Sequence, residues 1–188
     1  EGGKLNASYN CLDRHIKSGN GNQKALIWEG NNPEDDKHYT YSKLLDEVCK
    51  FSNVLKLQGI QKGDRVCIYM QMIPELAIAM LACARIGAVH SIVFGAFSSD
   101  SLRDRINDSE CKLLITQDTG VRGTKLNIPM KSNADTAVSE CPSIDKVIVV
   151  RRTNADINML HNRDIWWDEV MKNVSSNCTP EEMNAEDP

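Results

Sequence analysis

The stretch RVCIYMQMIPELAIAMLACARIGAVHSIVF, residues 65–94, decides the fold. It opens with a short run that is apolar or aromatic after Arg65, which is typical of a buried strand. Pro74 stands where proline is favoured at the start of a helix, and the apolar run behind it ends at Gly87, a common helix terminator. Residues 88–94 then favour a second strand. A strand, a helix and a strand in this order predict a right-handed crossover between parallel strands.

The same alternation of strands and helices continues on both sides of this stretch. Before it, residues 25–29 and 38–40 predict a β-hairpin, and the spacing of apolar residues predicts a helix from residue 41 that ends at Gly59. The elements predicted after it are strands over 111–116 and 146–150, a helix that begins at Ser98 or Ser99, helices over 129–140 and 164–174, and a capping box at 179–182. The fold class is therefore α/β, a mostly parallel sheet with helices on both faces. Residues 1–22, which are polar and rich in Gly and Asn, predict a loop or linker.

The composition narrows the classes of function. Lys and Arg total 22 against 26 Asp and Glu, a net charge of −4, so the chain has no basic field for a nucleic-acid backbone. No apolar run reaches the roughly 18 residues that a membrane span requires. We therefore predict no nucleic-acid partner and no membrane partner, and the sequence indicates no oligomeric state.

The seven cysteines are odd in number and form no C-x-x-C pair. Four of them, Cys49, Cys67, Cys83 and Cys111, lie in apolar stretches, where a free thiol packs as a small core residue. This usage favours a reducing compartment. We predict a cytoplasmic protein, with a nuclear or organellar form as the alternative.

Three loops follow predicted strands, and the ligands of open parallel sheets bind in such loops. The first, residues 71–73, is apolar and offers little. The second, residues 94–99, is a small-residue turn that leads into a helix N-terminus, where backbone amides can receive an anion. The third, residues 118–125, brackets an arginine with two glycines and adds a lysine, which suits the binding of phosphate.

Taken alone, the second loop is better explained as an ordinary connection from a strand to a helix, and the third as a solvated surface loop. Both, however, follow consecutive strands and so lie at one edge of the sheet. There the apolar platform of Phe94, Gly95 and Ala96 would lie near the positive charge of the third loop. That combination predicts a site for a nucleotide with exposed phosphates.

The sequence contains no recognisable catalytic machinery. The phosphate-loop, dinucleotide-binding and nucleophile-elbow motifs are absent, and no glycine follows Gly123. The four histidines lack metal-ligand spacing, and His90, inside a strand, is predicted to be a packed residue. The charged residues over 100–108 are predicted to form a solvated helix face. We therefore predict no catalytic residue and no metal site in this chain.

Several stretches spread along the chain carry a resemblance to a known family. They are EGGKLN at 1–6, YNCLDRH at 9–15, IWEG at 27–30, KGDRVCIYM at 62–70, IPELAIAMLACARIGAVH at 73–90, FG at 94–95, LRDRI at 102–106, GVRG at 120–123 and PEEM at 180–183. Together they resemble the AMP-forming acetyl-coenzyme A synthetases of the adenylate-forming superfamily. Members of that family join acetate to ATP in the presence of magnesium, giving acetyl-adenylate and pyrophosphate. The thiol of coenzyme A then attacks the adenylate to give acetyl-CoA and AMP.

The resemblance implies a ligand for the predicted nucleotide site. The residues that it implies for coenzyme A are Phe94, Gly95, Ala96, Arg122, Gly123, Thr124 and Lys125. The first three would contact the adenine end of coenzyme A, and the others its nucleotide phosphates. Ala96 departs from the family, which usually has a second glycine there, and Lys125 stands where the family varies. The function implied is that of an acetate–CoA ligase whose small-molecule substrates are acetate, ATP and coenzyme A.

The resemblance also implies a domain arrangement. Residues 1–22 would be the end of an N-terminal synthetase region and a linker, and residues 23–188 the first, incomplete part of the AMP-binding large domain. The family's phosphate loop, with the ATP and magnesium sites, would follow Pro188, so the 188-residue chain alone is expected to be inactive. Two alternatives stay open: a synthetase for propionate or another short-chain acid, and a truncated, non-catalytic α/β module that binds nucleotides or a partner.

Overall fold

A computed structural model describes residues 3–188, so the part of the first resembling stretch at Glu1 and Gly2 lies outside the described residues. The strands are β1 (Lys4–Leu5), β2 (Lys24–Trp28), β3 (Lys37–Thr40), β4 (Arg65–Met70), β5 (Val89–Phe94), β6 (Leu113–Gln117), β7 (Gly120–Arg122), β8 (Lys125–Ile128), β9 (Lys146–Val150), β10 (Asp164–Trp166) and β11 (Met183–Asn184). The helices are α1 (Ala7–Cys11), α2 (Asp13–His15), α3 (Tyr41–Leu57), α4 (Pro74–Ile86), α5 (Ser99–Ser109), α6 (Met130–Val138) and α7 (Trp167–Val170), with a π-helical turn over Ile16–Asn20 and a 3-10 turn over Pro33–Asp35.

These elements form two compact units. The first comprises the described residues through Gly63 together with Ile73–Val89 and Asn173–Pro188, and the second comprises Asp64–Met72 and His90–Lys172. A five-stranded sheet in the order β10-β9-β6-β4-β5 forms the frame of the second unit. The pairs β10–β9, β9–β6 and β6–β4 are parallel. The predicted α/β class, with a parallel sheet flanked by helices, is confirmed.

The core of the second unit lies between the sheet and two helices. Leu102 and Ile106 of α5, predicted as its inner face, are buried, and α6 adds further small apolar residues. The thiols of Cys67 and Cys111 lie in the same core. All seven cysteines are free, as expected for core thiols, and Cys11 alone among them is exposed.

The first unit shows why the helix signals in the sequence were reliable. Pro74 is the first residue of α4, and Gly87 closes that helix in the left-handed conformation with φ of 72°. Gly59, just beyond α3, takes a similar φ of 84°. The predicted hairpin is present as the antiparallel pair β2–β3.

Three predictions for the ends of the chain are wrong. The helix predicted over 164–174 is instead β10 followed by α7, because Trp166 pairs in parallel with β9. The capping box at 179–182 begins no helix, because the N–H of Glu181 bonds to the carbonyl of Arg85 and holds the segment against the end of α4. The loop predicted within 1–22 is helical over residues 7–20, where Asn6 accepts a hydrogen bond from the N–H of Tyr9 and caps α1.

Candidate functional site

The candidate site lies at the carboxyl edge of the sheet. In the strand order, β4 lies between β6 and β5, so residue Gln71, which follows β4, stands between the two loops that the sequence singles out. We call residues 94–98 the aromatic turn and residues 120–128 the cationic hairpin. Both belong to the second unit.

The aromatic turn presents two phenyl rings to solvent. Phe94 is 56% exposed and Phe97 is 41% exposed, and their rings meet edge to face with centroids 6.3 Å apart. The N–H of Phe97 donates to the carbonyl of Phe94, and the hydroxyl of Tyr69 donates to the carbonyl of Phe97 at 2.9 Å. Burial raises the pKa of Tyr69, so the hydroxyl keeps its proton for this bond. Exposed aromatic rings on a fixed turn can stack against a flat base.

Gly95 is buried within this turn and fits tightly. A Cβ there would lie 3.0 Å from Cε of Met130, 3.2 Å from the carbonyl oxygen of Met70 and 3.3 Å from Cγ of Gln71. Ala96 is exposed. The turn therefore needs glycine at residue 95 but not at residue 96.

We expect Gly95→Ala to lower the free energy of unfolding by about 1–3 kcal/mol, because the methionine end can move but the Met70 carbonyl cannot. Urea unfolding measures the change. Gly3→Ala is the matched control, since an added Cβ at Gly3 meets nothing within 4 Å. A loss at Gly95 no larger than that at Gly3 would contradict the tight fit.

The prediction of a loop over residues 118–125 is wrong, because most of this segment belongs to a β-hairpin. Strands β7 and β8 pair in antiparallel fashion, with Arg122 opposite Lys125. Gly123 has φ of 57°, the positive value that a glycine supplies at the first central position of a tight two-residue turn, and Thr124 completes the turn. The hairpin thus fixes two cations beside each other at its tip.

Both cations of the hairpin are available to an anion. Arg122 and Lys125 are exposed, and within residues 3–188 neither makes an ion pair. Two adjacent like charges repel each other, so a bound phosphate would relieve that repulsion. Arg122 can bind phosphate with its planar fork and Lys125 as a point charge.

Gln71 is a side chain of the candidate site that the sequence analysis missed, because the analysis placed Gln71 in a loop that offers little. Its amide donates to the carbonyl of Val121 at 3.2 Å and accepts from the N–H of Val121 at 3.0 Å. Gln117 supports it, since its Oε1 accepts from the N–H of Gln71 at 2.9 Å. The sequence did contain one indication of this role. Gln71 is a polar residue directly after an apolar strand, at the edge of the sheet where ligands of open parallel sheets bind.

Asp118 was named in the sequence analysis only as the start of a loop, yet it organises the neighbouring backbone. Its carboxylate is fully buried. The N–H groups that donate to it, at 2.6 to 3.3 Å, belong to Thr119, Arg152, Thr153 and Ala155. Its backbone carbonyl accepts from the N–H of Lys131 at the start of α6. Asp118 therefore joins the ends of β6 and β9 to α6.

An ionic cluster of Lys131, Asp135, Arg163 and Asp164 holds α6 beside β10. The Lys131 ammonium lies 2.8 Å from Asp164 and 2.7 Å from Asp135, and Arg163 pairs with both carboxylates. Burial alone would raise the pKa of Asp164, but the hydrogen bonds from Arg163 and Lys131 outweigh it and hold the pKa below its usual value. The cluster fixes the helix whose first residue, Met130, contacts Gly95.

Other titratable groups do not assemble into a reactive centre. No set of three His, Cys, Asp or Glu side chains within the described residues is arranged to hold a metal ion. His90 is half-buried, and burial lowers its pKa. In the same part of the chain, no helix is both long and apolar enough to cross a membrane.

Comparison with known proteins assigns the chain to a family. The sequence model of the AMP-binding enzymes matches residues 12–188. The chain belongs to the AMP-binding enzyme family. The matched region includes the aromatic turn, Gln71 and the cationic hairpin.

Individual relatives confirm the resemblance found in the sequence. The acetyl-coenzyme A synthetase of Rubrobacter xylanophilus is 59% identical over 186 residues, which cover 99% of this chain. That of Saccharophagus degradans is 58% identical and acetyl-coenzyme A synthetase 2 of Pseudomonas aeruginosa is 56% identical, each over 188 residues and the whole chain. The chain spans 29% of the length of each of these relatives.

Proposed function

We propose that this chain is part of an acetate–CoA ligase and supplies part of its coenzyme A surface. The ligase would activate acetate with ATP to acetyl-adenylate, and then transfer the acetyl group to coenzyme A. The observation that carries the proposal is the convergence of the aromatic turn and the cationic hairpin on one side chain, Gln71. The names of the relatives support acetate as the acid.

The geometry suits the nucleotide end of coenzyme A. The exposed Phe94 and Ala96, on either side of the buried Gly95, offer a surface for the adenine. Arg122 and Lys125, on either side of Gly123 and Thr124, would hold the nucleotide phosphates. These residues would bind and orient coenzyme A, the acyl acceptor, and would form or break no covalent bond.

Among the described residues, no three His, Cys, Asp or Glu side chains form a cluster that could hold a metal ion. The ATP and magnesium sites of the ligase would lie in other parts of it. We likewise propose that residues 1–22 close an N-terminal region and that residues 23–188 open the AMP-binding large domain. The seven free thiols favour a reducing, cytoplasmic location.

The test is Arg122→Ala in the complete ligase. We expect the KM for coenzyme A to rise roughly tenfold or more, because a charge-assisted contact to phosphate is lost. The KM values for ATP and acetate should change far less. Steady-state kinetics measures the KM for coenzyme A. Acetate-dependent exchange of pyrophosphate into ATP measures the KM values for ATP and acetate. Arg14→Ala is the matched control, because Arg14 is exposed and lies in the other unit.

Several outcomes would contradict the proposal. If Arg122→Ala left the KM for coenzyme A unchanged, the cationic hairpin would not be part of the coenzyme A site. If it raised the KM values for coenzyme A, ATP and acetate equally, Arg122 would have a role in folding instead. If the complete ligase preferred propionate to acetate, the proposed acid substrate would be wrong. Adenylation by the 188-residue chain alone would contradict the placement of the ATP site elsewhere.

A further inference from the structure

Gln71 links the two halves of the proposed coenzyme A surface. Its Cγ lies 3.3 Å from the position that a Cβ on Gly95 would take, and its amide atoms lie 2.8 to 2.9 Å from the corresponding position on Gly120. The same side chain thus packs against the aromatic turn with its stem and against the cationic hairpin with its amide. Gly120 lacks a side chain where the amide passes.

The hydrogen bonds of Gln71 fix the hairpin in register. The amide makes both bonds that a neighbouring strand residue would make to Val121, one as donor and one as acceptor. Gln117, which is fully buried, donates to the carbonyl of Thr119 at 2.9 Å and to Oε1 of Gln71 at 3.3 Å. The Gln71 amide therefore has a single orientation that satisfies all of its partners.

We propose that Gln71 is a positioning residue for coenzyme A, which acts through Arg122. Val121, which Gln71 holds on both its N–H and its carbonyl, directly precedes Arg122. Gln71 therefore sets where the guanidinium lies relative to the aromatic turn. Gln71 itself does not contact the ligand. The inference rests on the proposed function, because it assigns the cation at the hairpin tip to the phosphates of coenzyme A.

A double-mutant cycle tests the inference in the complete ligase. Gln71→Leu keeps the stem and removes the amide, so we expect the KM for coenzyme A to rise roughly tenfold, because both hydrogen bonds that hold Val121 are lost. In an Arg122→Ala background, the same change should add less than about twofold, because its effect passes through the arginine. Gln23→Leu, at an exposed glutamine in the other unit, is the matched control.

A second acceptor separates positioning from general damage. Pantetheine carries the reactive thiol but lacks the nucleotide, so Gln71→Leu should leave its KM within about twofold of the value for the unaltered enzyme. Gln71→Met, which keeps an unbranched stem, repeats the measurement if the leucine variant fails to fold. A rise in KM for pantetheine equal to that for coenzyme A would overturn the inference.

A rescue experiment tests the packing without coenzyme A. Gly120→Ala places a methyl group against the Gln71 amide and should lower the midpoint of thermal unfolding. Because all three nearest atoms belong to Gln71, Gln71→Ala should make room, so the double variant should unfold no lower than Gln71→Ala alone. Additive losses would overturn the packing on which the inference depends.

The failures of the two proposals are distinguishable. If Arg122→Ala raises the KM for coenzyme A but neither Gln71 variant does, the inference falls and the proposed function stands. If Arg122→Ala leaves that KM unchanged, the proposed function falls and the inference falls with it. Equal effects of Gln71→Leu with and without Arg122 would show that Gln71 acts independently, and would also overturn the inference.

Discussion

We expect Asp164→Asn to lower the free energy of unfolding by about 3–5 kcal/mol, because it leaves the buried Lys131 and its neighbour Arg163 to share the single carboxylate of Asp135. The side chain of Lys131 is 1% exposed and that of Asp164 is 0% exposed, and their charged atoms lie 2.8 Å apart. The four groups of the ionic cluster balance as two cations and two anions, and the amide removes one anion. Chemical denaturation of the chain and of the variant measures the difference.

Asp156→Asn is the matched control for this prediction. Asp156 is exposed in the same unit, so its replacement should change the free energy of unfolding by no more than about 0.5 kcal/mol. A loss at Asp164 as small as that at Asp156 would contradict the account of the cluster. Such a result would mean that the buried ions are stabilised no better in the folded chain than in water.

The pH dependence of the same variant follows from the sign of the pKa shift. The pKa of Asp164 in the folded chain lies below its usual value, so the folded state holds the carboxylate ionised more strongly than the unfolded state does. That stabilisation is present above the unfolded pKa, about 3.9, and is lost as the pH falls through the lower folded pKa. Asp164→Asn should therefore show a shallower loss of stability below about pH 4 than the unaltered chain.

The ionic cluster matters for the site because of what α6 holds. Lys131 donates its backbone N–H to the carbonyl of Asp118, and Met130 contacts Gly95 in the aromatic turn. Asp118 in turn directs the backbone that leads into the cationic hairpin. The cluster, which touches none of the proposed ligand-binding residues, thus supports both halves of the surface.

The sequence predicted those parts of the fold whose signals are local. β4, α4 and β5 follow from apolar periodicity, Pro74 and Gly87, all within one stretch of chain. The two candidate loops could be placed at one edge, because parallel strands end on the same side. The exposed Phe94 and Arg122 could be named from their positions in those loops, with the ligand supplied by the family resemblance.

The parts that the sequence analysis missed depend on partners far apart along the chain. Gln71 bonds to Val121, a separation of 50 residues, and Asp118 bonds to Thr153, a separation of 35 residues. Neither pairing leaves a periodic signal. The prediction of a helix at residues 164–166 failed for the same reason. Their pairing with β9 outweighed a sequence pattern that also suits a helix.

Asp13→Ala should also lower the free energy of unfolding by about 3–5 kcal/mol, because it leaves the buried guanidinium of Arg85 without its counter-charge. Arg85 is 3% exposed, and its two terminal nitrogens donate to the two carboxylate oxygens of Asp13 at 2.8 and 3.0 Å. Burial alone would lower the pKa of Arg85, but the hydrogen bonds to Asp13 outweigh it and raise the pKa, so the guanidinium stays charged. Chemical denaturation measures the loss, and Asp46→Ala, at an exposed aspartate in the same unit, is the control.

The cause of that loss can be separated from the loss of a favourable ion pair. If the cost comes from a stranded charge, then replacing Arg85 by Met in the Asp13→Ala background should recover part of it, because no buried charge remains. The recovery would be incomplete, because Arg85 Nε also donates to the carbonyl of Cys178 at 2.7 Å. A double variant less stable than Asp13→Ala alone would instead mean that Arg85 contributes mainly through Cys178. Arg85 would then stabilise the chain by holding the segment after Asn177 against α4, and its pairing with Asp13 would be secondary.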